Sequence, residues 1–167
     1  MKENPSNFIP FAPEKKPSKF SKNDTSTGER ELIKSFNMPR FNLCIAGGRD
    51  VYLLYPTLLD FVARMIPPST AIQLLIGDCP TGIDLCVTTM AQHYQLPCAT
   101  FFTDWQRPTR LALQERNRRM IDQAHALLVI WNGESHGSRS TLNLAKAKGI
   151  PITEVTIRQH NESKERI

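Results

Sequence analysis

The segment from Gly133 to Gly137 has the spacing Gly-x-Ser-x-Gly, which in some hydrolases places a nucleophilic serine between a strand and a helix. Such a serine also needs a histidine and a carboxylate, and the chain after Ser135 offers only two histidines and three glutamates. Small residues and hydroxyls at a helix N-terminus bind phosphate instead. We therefore expect Ser135, Ser138 and the neighbouring backbone amides to bind phosphate, and the serine nucleophile is the less favoured alternative.

Three further loops place glycines and polar side chains directly after apolar runs. The candidate site residues in them are Gly47, Gly48, Arg49 and Asp50 in the first, Gly77, Asp78, Thr81, Gly82 and Asp84 in the second, and Asp104 and Trp105 in the third. Arg116 and Asn117 follow on the next predicted helix, and Gly133, Ser135, Gly137 and Ser138 complete the set.

These residue types suit a phosphate ligand that also carries sugar hydroxyls. Glycines let the backbone approach a ligand closely, and arginines such as Arg49 and Arg116 bind phosphate with two parallel hydrogen bonds. The amides of Gly82 and Ile83 are expected to point at an anion from a helix N-terminus. Asp84 or Asp104 is expected to bind sugar hydroxyls.

Each of these residues also has a purely structural interpretation. Asp50 or Thr81 would cap the helix that follows it, and Asp84 suits the positive end of a helix dipole. Trp105 offers a flat surface to a base or sugar, but tryptophan more often serves in packing. The rim carboxylates could act as acid or base, and the sequence does not indicate which of them converge.

Asn117 lies on the apolar stripe of its predicted helix, four residues after Leu113 and seven before Ala124. A buried amide needs hydrogen-bond partners, and these are either carbonyl groups at the sheet edge or a ligand. Arg116 flanks the same face of the helix. Arg118 and Arg119 point elsewhere and are expected to face solvent.

The elements that position these loops alternate between strand and helix. Apolar runs predict strands at 41–46, 72–76, 98–102, 126–131 and 151–157, and helical spacing predicts helices at 51–66, 83–94, 111–124 and 141–148, the last stopped by Gly149. Strands that are apolar on both faces indicate a parallel sheet covered by helices. The expected fold is α/β, a Rossmann-like doubly wound parallel sheet of about five strands in three layers.

Length and composition predict one domain with two tails. Of the 167 residues, 1–40 read as a proline-containing disordered arm, 41–157 as the folded domain and 158–167 as a polar tail. No run of about 18 apolar residues exists and no apolar signal core precedes the domain, so we expect a cytoplasmic protein without membrane association. Most of the net charge of +5 lies in the tails. Nucleic-acid binding is therefore an alternative that would depend on the basic arm.

The sequence predicts no metal and no cofactor. Its four cysteines form no Cys-x-x-Cys pair, so neither a disulfide framework nor a zinc site is favoured. The dinucleotide fingerprint Gly-x-Gly-x-x-Gly and the phosphate-binding loop of nucleoside triphosphatases are both absent.

Taken in order, the four loops resemble the SLOG superfamily, in particular its YspA-like branch. The resemblance covers about Phe41 to Thr156 and rests on five elements. These are Gly47-Gly48-Arg49-Asp50, Gly77-Asp78 through Gly82-Ile83-Asp84, Asp104-Trp105, Arg116-Asn117, and Gly133 through Gly137-Ser138.

The resemblance implies a Rossmann-like domain that binds, senses or processes a nucleotide or nucleotide-derived phosphate ligand, and a homodimer formed through exposed helices. Related proteins include Lonely Guy phosphoribohydrolases and DprA-type binders of single-stranded DNA. The phosphoribohydrolase pattern Gly-Gly-x-Gly-Thr-x-x-Glu is not matched, because Ser138 stands for its threonine and Thr141 for its catalytic glutamate. Ligand binding is thus the first expectation, and hydrolysis of an N-glycosidic or phosphoester bond is the alternative.

Overall fold

The structure, a computed structural model, describes residues 38–157. The strands are β1 (Arg40–Gly47), β2 (Ala71–Ile76), β3 (Cys98–Thr100), β4 (Ala126–Trp131) and β5 (Ile152–Thr156). The helices are α1 (Tyr55–Met65), α2 (Gly82–His93), α3 (Thr109–Gln123) and α4 (His136–Lys148). The predicted alternation of strand and helix is confirmed.

The five strands form one parallel sheet in the order β3-β2-β1-β4-β5. The chain runs outward from β1 to β3, then crosses back to β4 beside β1 and continues to β5. Helices α1 and α2 pack on one face and α3 and α4 on the other. This is the predicted doubly wound, three-layer fold, and it places the switch in strand order between β1 and β4, where such sheets bind ligands.

Alternation along the central strands explains why both faces are covered. Leu43 and Ile45 of β1 belong to the core beneath α1 and α2, whereas Cys44 and Ala46 belong to the core beneath α3 and α4. Every residue of β4 is buried. Central strands with no polar face require a helical layer on each side.

The first helix begins later than its apolar stripe predicts. The periodicity predicts a start at Val51, but α1 begins at Tyr55. Leu54 is the extended residue that precedes the helix. Pro56 lies in the first turn, where the missing N–H of proline costs no hydrogen bond. Val51 is buried in a turn in which its amide donates to the Gly48 carbonyl.

The last helix begins earlier than predicted, at His136 instead of Thr141. Ser135 caps it, since the Ser135 side chain accepts a hydrogen bond from the Ser138 amide. Gly149 ends the helix in the left-handed conformation, as predicted. The Lys148 ammonium donates to the carbonyls of Ile121, Asp122 and Ala124, which fixes the end of α3 against α4.

The predictions for the two tails mostly concern residues outside the described range. Of the predicted arm, 1–37 is not described and Arg40 already begins β1. The predicted tail at 158–167 also lies outside the described residues. Among residues 38–157, no helix has the length and apolar character needed to cross a membrane.

Candidate ligand-binding site

A cavity of about 380 Å³ lies at the carboxyl edge of the sheet, where β1 and β4 are neighbours. Its walls come from the ends of β1 and β2, from the inner face of α3 and from the first turns of α4. The predicted site residues that line it are Gly47, Arg49, Gly77, Asp84, Arg116, Asn117, Ser135, Gly137 and Ser138. The structure therefore brings residues from all of these loops except the one after β3 into one cavity.

The N-terminus of α4 forms one end of this cavity. The Ser135 hydroxyl accepts hydrogen bonds from the Ser138 amide at 3.3 Å and from the Ser138 hydroxyl at 3.1 Å. The next helical amide, that of Arg139, donates to the Ser135 carbonyl. The amides of His136 and Gly137 have no acceptor among the described residues. Unbonded amides at the positive end of a helix favour an anionic ligand.

Ser135 does not have the environment of a nucleophile. Its backbone angles, φ −64° and ψ 114°, are ordinary extended values, whereas a nucleophilic serine in this motif occupies a strained turn. Within residues 38–157, neither a histidine nor a carboxylate hydrogen-bonds to its hydroxyl. The Gly-x-Ser-x-Gly spacing here builds a helix cap.

Arg116 forms the opposite end of the cavity and is held rigidly. Its Nη1 donates to Asp78 Oδ1 at 3.0 Å, and Asp78 also accepts hydrogen bonds from the amide and hydroxyl of Thr103, both at 2.8 Å. A Cβ atom at Gly77 would overlap this guanidinium, so the arginine packs directly on the glycine backbone. The buried Nε of Arg116 has no hydrogen-bond partner among residues 38–157. The Arg116 side chain is therefore held by Asp78 and Gly77, and not all of its N–H groups are used in these contacts.

The two carboxylates beside Arg116 have opposite pKa shifts. Burial acts to raise the pKa of Asp78, but the Thr103 hydrogen bonds and the Arg116 charge outweigh it, and the pKa is lowered. For Asp84, burial is the dominant cause and raises the pKa against the Cys79 amide, which donates to Asp84 Oδ2 at 3.2 Å, and against Arg116, 3.9 Å away. Asp78 is thus a structural anion and Asp84 a carboxyl group near the ligand space.

Asn117 is buried with an unused amide. The residue is only 3% exposed, it borders the cavity, and its side chain makes no hydrogen bond with any residue described. The sequence left two partners open, carbonyl groups at the sheet edge or a ligand. Because no sheet carbonyl bonds to it among residues 38–157, the cavity is where its hydrogen bonds must be made.

At the N-terminus of α2, one of the two amides expected to face an anion already has an acceptor within the fold. The Ile83 amide donates to the Gly48 carbonyl at 3.2 Å, so the prediction that this amide is unbonded is wrong. Gly82 has φ +65°, and a Cβ on it would overlap the backbone of Gly48 and Arg49. Here the start of α2 contacts the backbone of the loop after β1. This contact requires a residue without a side chain.

Several predicted site residues lie outside the cavity wall. They are Gly48, Asp50, Asp78, Thr81, Gly82, Asp104, Trp105 and Gly133. Some support the site: the Asn132 amide donates to Asp50, and Arg139 donates to the Gly133 carbonyl. Thr81 precedes α2 without a capping hydrogen bond from its side chain.

The loop after β3 stands apart from the cavity. Trp105 is 64% exposed, and the Asp104 carboxylate forms an exposed ion pair with Arg107 at 3.5 Å and accepts from the Gln106 amide. Contact of either residue with a ligand stays a prediction. Of the rim carboxylates named from the sequence, Asp84 alone among the described residues lines the cavity.

Other lining residues were not predicted as site residues. They are Ile45, Ala46, Cys79, Leu113, Met120, His136 and Thr141. Leu113 and Met120 share the helical stripe of Asn117, so the stripe itself was the available signal. Thr141 lies one turn after Gly137 and donates to the Gly137 carbonyl at 3.1 Å. At the position of the glutamate in the phosphoribohydrolase pattern, this cavity has the buried Thr141 hydroxyl, whose hydrogen is donated to a backbone carbonyl.

The cysteines and metal-ligating residues add no further centre to this region. Burial raises the pKa of Cys44 to about 12 and that of Cys98 to about 11, which keeps both thiols protonated. Within residues 38–157, no three histidine, cysteine, aspartate or glutamate side chains converge as metal ligands would. No protein-family model matches the chain, and a search of curated proteins returned no match.

Proposed function

We propose that this protein is a SLOG-type domain that binds a nucleotide or nucleotide-derived phosphate ligand in the cavity at the carboxyl edge. The observation that carries the proposal is Asn117, a residue only 3% exposed that borders the cavity and whose side-chain amide has no hydrogen-bond partner among residues 38–157. A folded domain tolerates such an amide where a ligand or solvent completes its hydrogen bonds. The arrangement of donors around it supports the choice of ligand.

The phosphate is assigned to the N-terminus of α4. The amides of His136 and Gly137 and the hydroxyl of Ser135, which accepts from Ser138 and keeps its own hydrogen, are donors in one helical turn. Arg49 lines the same cavity and is exposed, so its guanidinium is available to the anion. Amides aligned with a helix dipole, together with a guanidinium, are a common phosphate-binding combination.

The sugar is assigned to the other end. Asp84 borders the cavity there, and Arg116 and Asn117, whose side chains carry N–H donors, line the wall beside it. An acceptor flanked by donors suits vicinal hydroxyls, each of which both donates and accepts. The volume of about 380 Å³ lies within the usual range of small-molecule sites.

A direct test combines ligand identification with calorimetry. Small molecules that co-purify with the protein are identified by mass spectrometry, and a nucleotide panel is titrated into the protein. We expect one ligand per cavity, and binding weakened at least tenfold by Arg49→Ala, a loss of about 1.4 kcal/mol. Arg64→Ala is the matched control, because Arg64 is another exposed arginine and its ion pair is with Asp60 on α1, away from the cavity lining. Absence of binding across the panel would refute the proposal.

Hydrolysis of such a ligand is the second candidate, and the placement of Asp84 favours it. A buried carboxyl group with a raised pKa beside a ligand is suited to proton transfer. Chromatography of products after incubation with each bound nucleotide tests this candidate. Turnover abolished in Asp84→Asn at ligand concentrations that saturate the variant would support it, and intact ligand after long incubation would exclude it. Homodimerisation, cytoplasmic location and nucleic-acid binding through the arm remain predictions.

A further inference from the structure

A second concave region adjoins the cavity. It is a groove of about 840 Å³ between the outer surfaces of α3 and α4. Leu113, Asn117, His136 and Gly137 line both the cavity and the groove. The two spaces therefore meet where the first turn of α4 faces Leu113 and Asn117 of α3.

Three arginines line the groove. They are Arg110, Arg118 and Arg139, and among residues 38–157 no aspartate or glutamate lines it. None of the three forms an ion pair within residues 38–157. By contrast, Arg107, just before α3, is engaged by Glu115 and Asp104.

One of these arginines is held in place by the loop before α4. Arg139 donates to the Gly133 carbonyl at 2.8 Å, and its guanidinium lies over the Trp131 ring, 5.6 Å from the ring centroid. Such contacts reduce the side-chain entropy lost when a ligand binds. Arg139 still has further N–H groups for an anion, because a guanidinium carries five donors.

The rest of the groove suits a base better than a bare phosphate chain. Leu113 and Leu144 provide apolar surface, and Gln114 and Asn143 provide amides that can pair with the edge of a base. We infer that the ligand is a dinucleotide, with its first nucleotide in the cavity and its second phosphate and base in the arginine-lined groove. This inference rests on the proposed function and specifies its ligand class.

Calorimetry with matched ligands tests the inference. The probes are four 5′-mononucleotides, the corresponding 5′-phosphorylated homodinucleotides, and a long single-stranded oligonucleotide. We expect one dinucleotide to bind at least about tenfold more tightly than its mononucleotide, with an advantage that falls as salt rises. The double substitution Arg110→Gln with Arg118→Gln should remove the advantage and leave the mononucleotide affinity unchanged. Arg64→Gln is the control for loss of an exposed arginine.

The outcomes separate this inference from the proposed function. Equal affinity for mononucleotide and dinucleotide, or an advantage that survives the double substitution, would overturn the dinucleotide alone. Binding that increases with strand length up to the long oligonucleotide would replace it with a nucleic-acid surface. Failure of every probe to bind would overturn both proposals. Circular dichroism of the double variant checks the fold, and no change is expected because both arginines are exposed.

Discussion

The loop after β2 and the loop after β4 have similar compositions, yet they use their polar groups differently. In the first loop, Asp78 binds Thr103 and Arg116, and the amide of Ile83 bonds to the Gly48 carbonyl. In the second, the amides of His136 and Gly137 remain without acceptors among the described residues. The loop after β2 stabilises the fold and holds Arg116, and the loop after β4 is available to a ligand.

The largest expected effect on stability is at Gly82, in the loop after β2. In Gly82→Ala, the methyl group meets the Gly48 and Arg49 backbone and the positive φ becomes strained, so we expect a loss of about 3 kcal/mol in the free energy of unfolding. Denaturant unfolding measures it. Gly137→Ala is the control from the second loop, because its Cβ has open space around it and alanine favours a helix. Equal destabilisation by both would erase the contrast between the loops.

Asp78→Asn is expected to cost about 2 kcal/mol, since the charged partner of Arg116 is lost. The folded state lowers the pKa of Asp78 below its ordinary value of 3.8. Its contribution to stability is therefore present above that value and is lost as pH falls through the lowered folded-state pKa. Unfolding curves of both proteins between pH 7 and about pH 2 should converge at the acid end. A difference that is independent of pH would contradict the ionic role of Asp78.

In the loop after β4, Ser135→Ala should lower the free energy of unfolding by about 1 kcal/mol, the usual effect of losing a helix cap. The substitution also removes a hydroxyl from the cavity wall, so nucleotide affinity should fall with stability. Thermal unfolding and calorimetry on the same preparation measure the two effects. Unchanged affinity with reduced stability would restrict Ser135 to capping.

Asp84→Asn is expected to have the smallest effect on stability, and of opposite sign. Burial raises the pKa of Asp84, so ionisation of this carboxyl group opposes folding, and the loss of stability develops as the pH rises from the ordinary value of 3.8 through the raised folded-state pKa. The variant should be slightly more stable than the wild type at neutral pH, and the difference should vanish as the pH falls and Asp84 becomes protonated. If the variant were less stable than the wild type at neutral pH, Asp84 would be a structural anion like Asp78, and the prediction would be wrong.

Periodicity predicted the fold because both faces of the central strands are apolar, as at Leu43 and Cys44, and this pattern is typical of a parallel sheet covered by helices. Helix starts were less predictable. Pro56 delays α1 and the Ser135 cap advances α4, and both are local effects that compete with an apolar stripe. Convergence at the carboxyl edge followed from the topology, so Arg49, Asp84 and Ser138 could be grouped without coordinates.

What the sequence could not predict is which polar groups are already satisfied. The Ile83 amide and the Asn117 amide were equally plausible ligand contacts, and only one of them has a partner within the fold. Satisfaction depends on contacts between distant segments, such as Gly48 with Ile83 and Asp78 with Thr103. No local spacing encodes these contacts.

The most direct test of the central claim is the affinity of Asn117→Leu for the nucleotide that the wild type binds most tightly. Leucine fills similar space but cannot hydrogen-bond. Because the Asn117 side chain makes no hydrogen bond within residues 38–157, the free energy of unfolding of the variant should be unchanged or higher. Titration calorimetry should show affinity lower by tenfold or more, a loss of at least about 1.4 kcal/mol. Equal affinity in the stable variant would contradict the claim that this amide is reserved for the ligand.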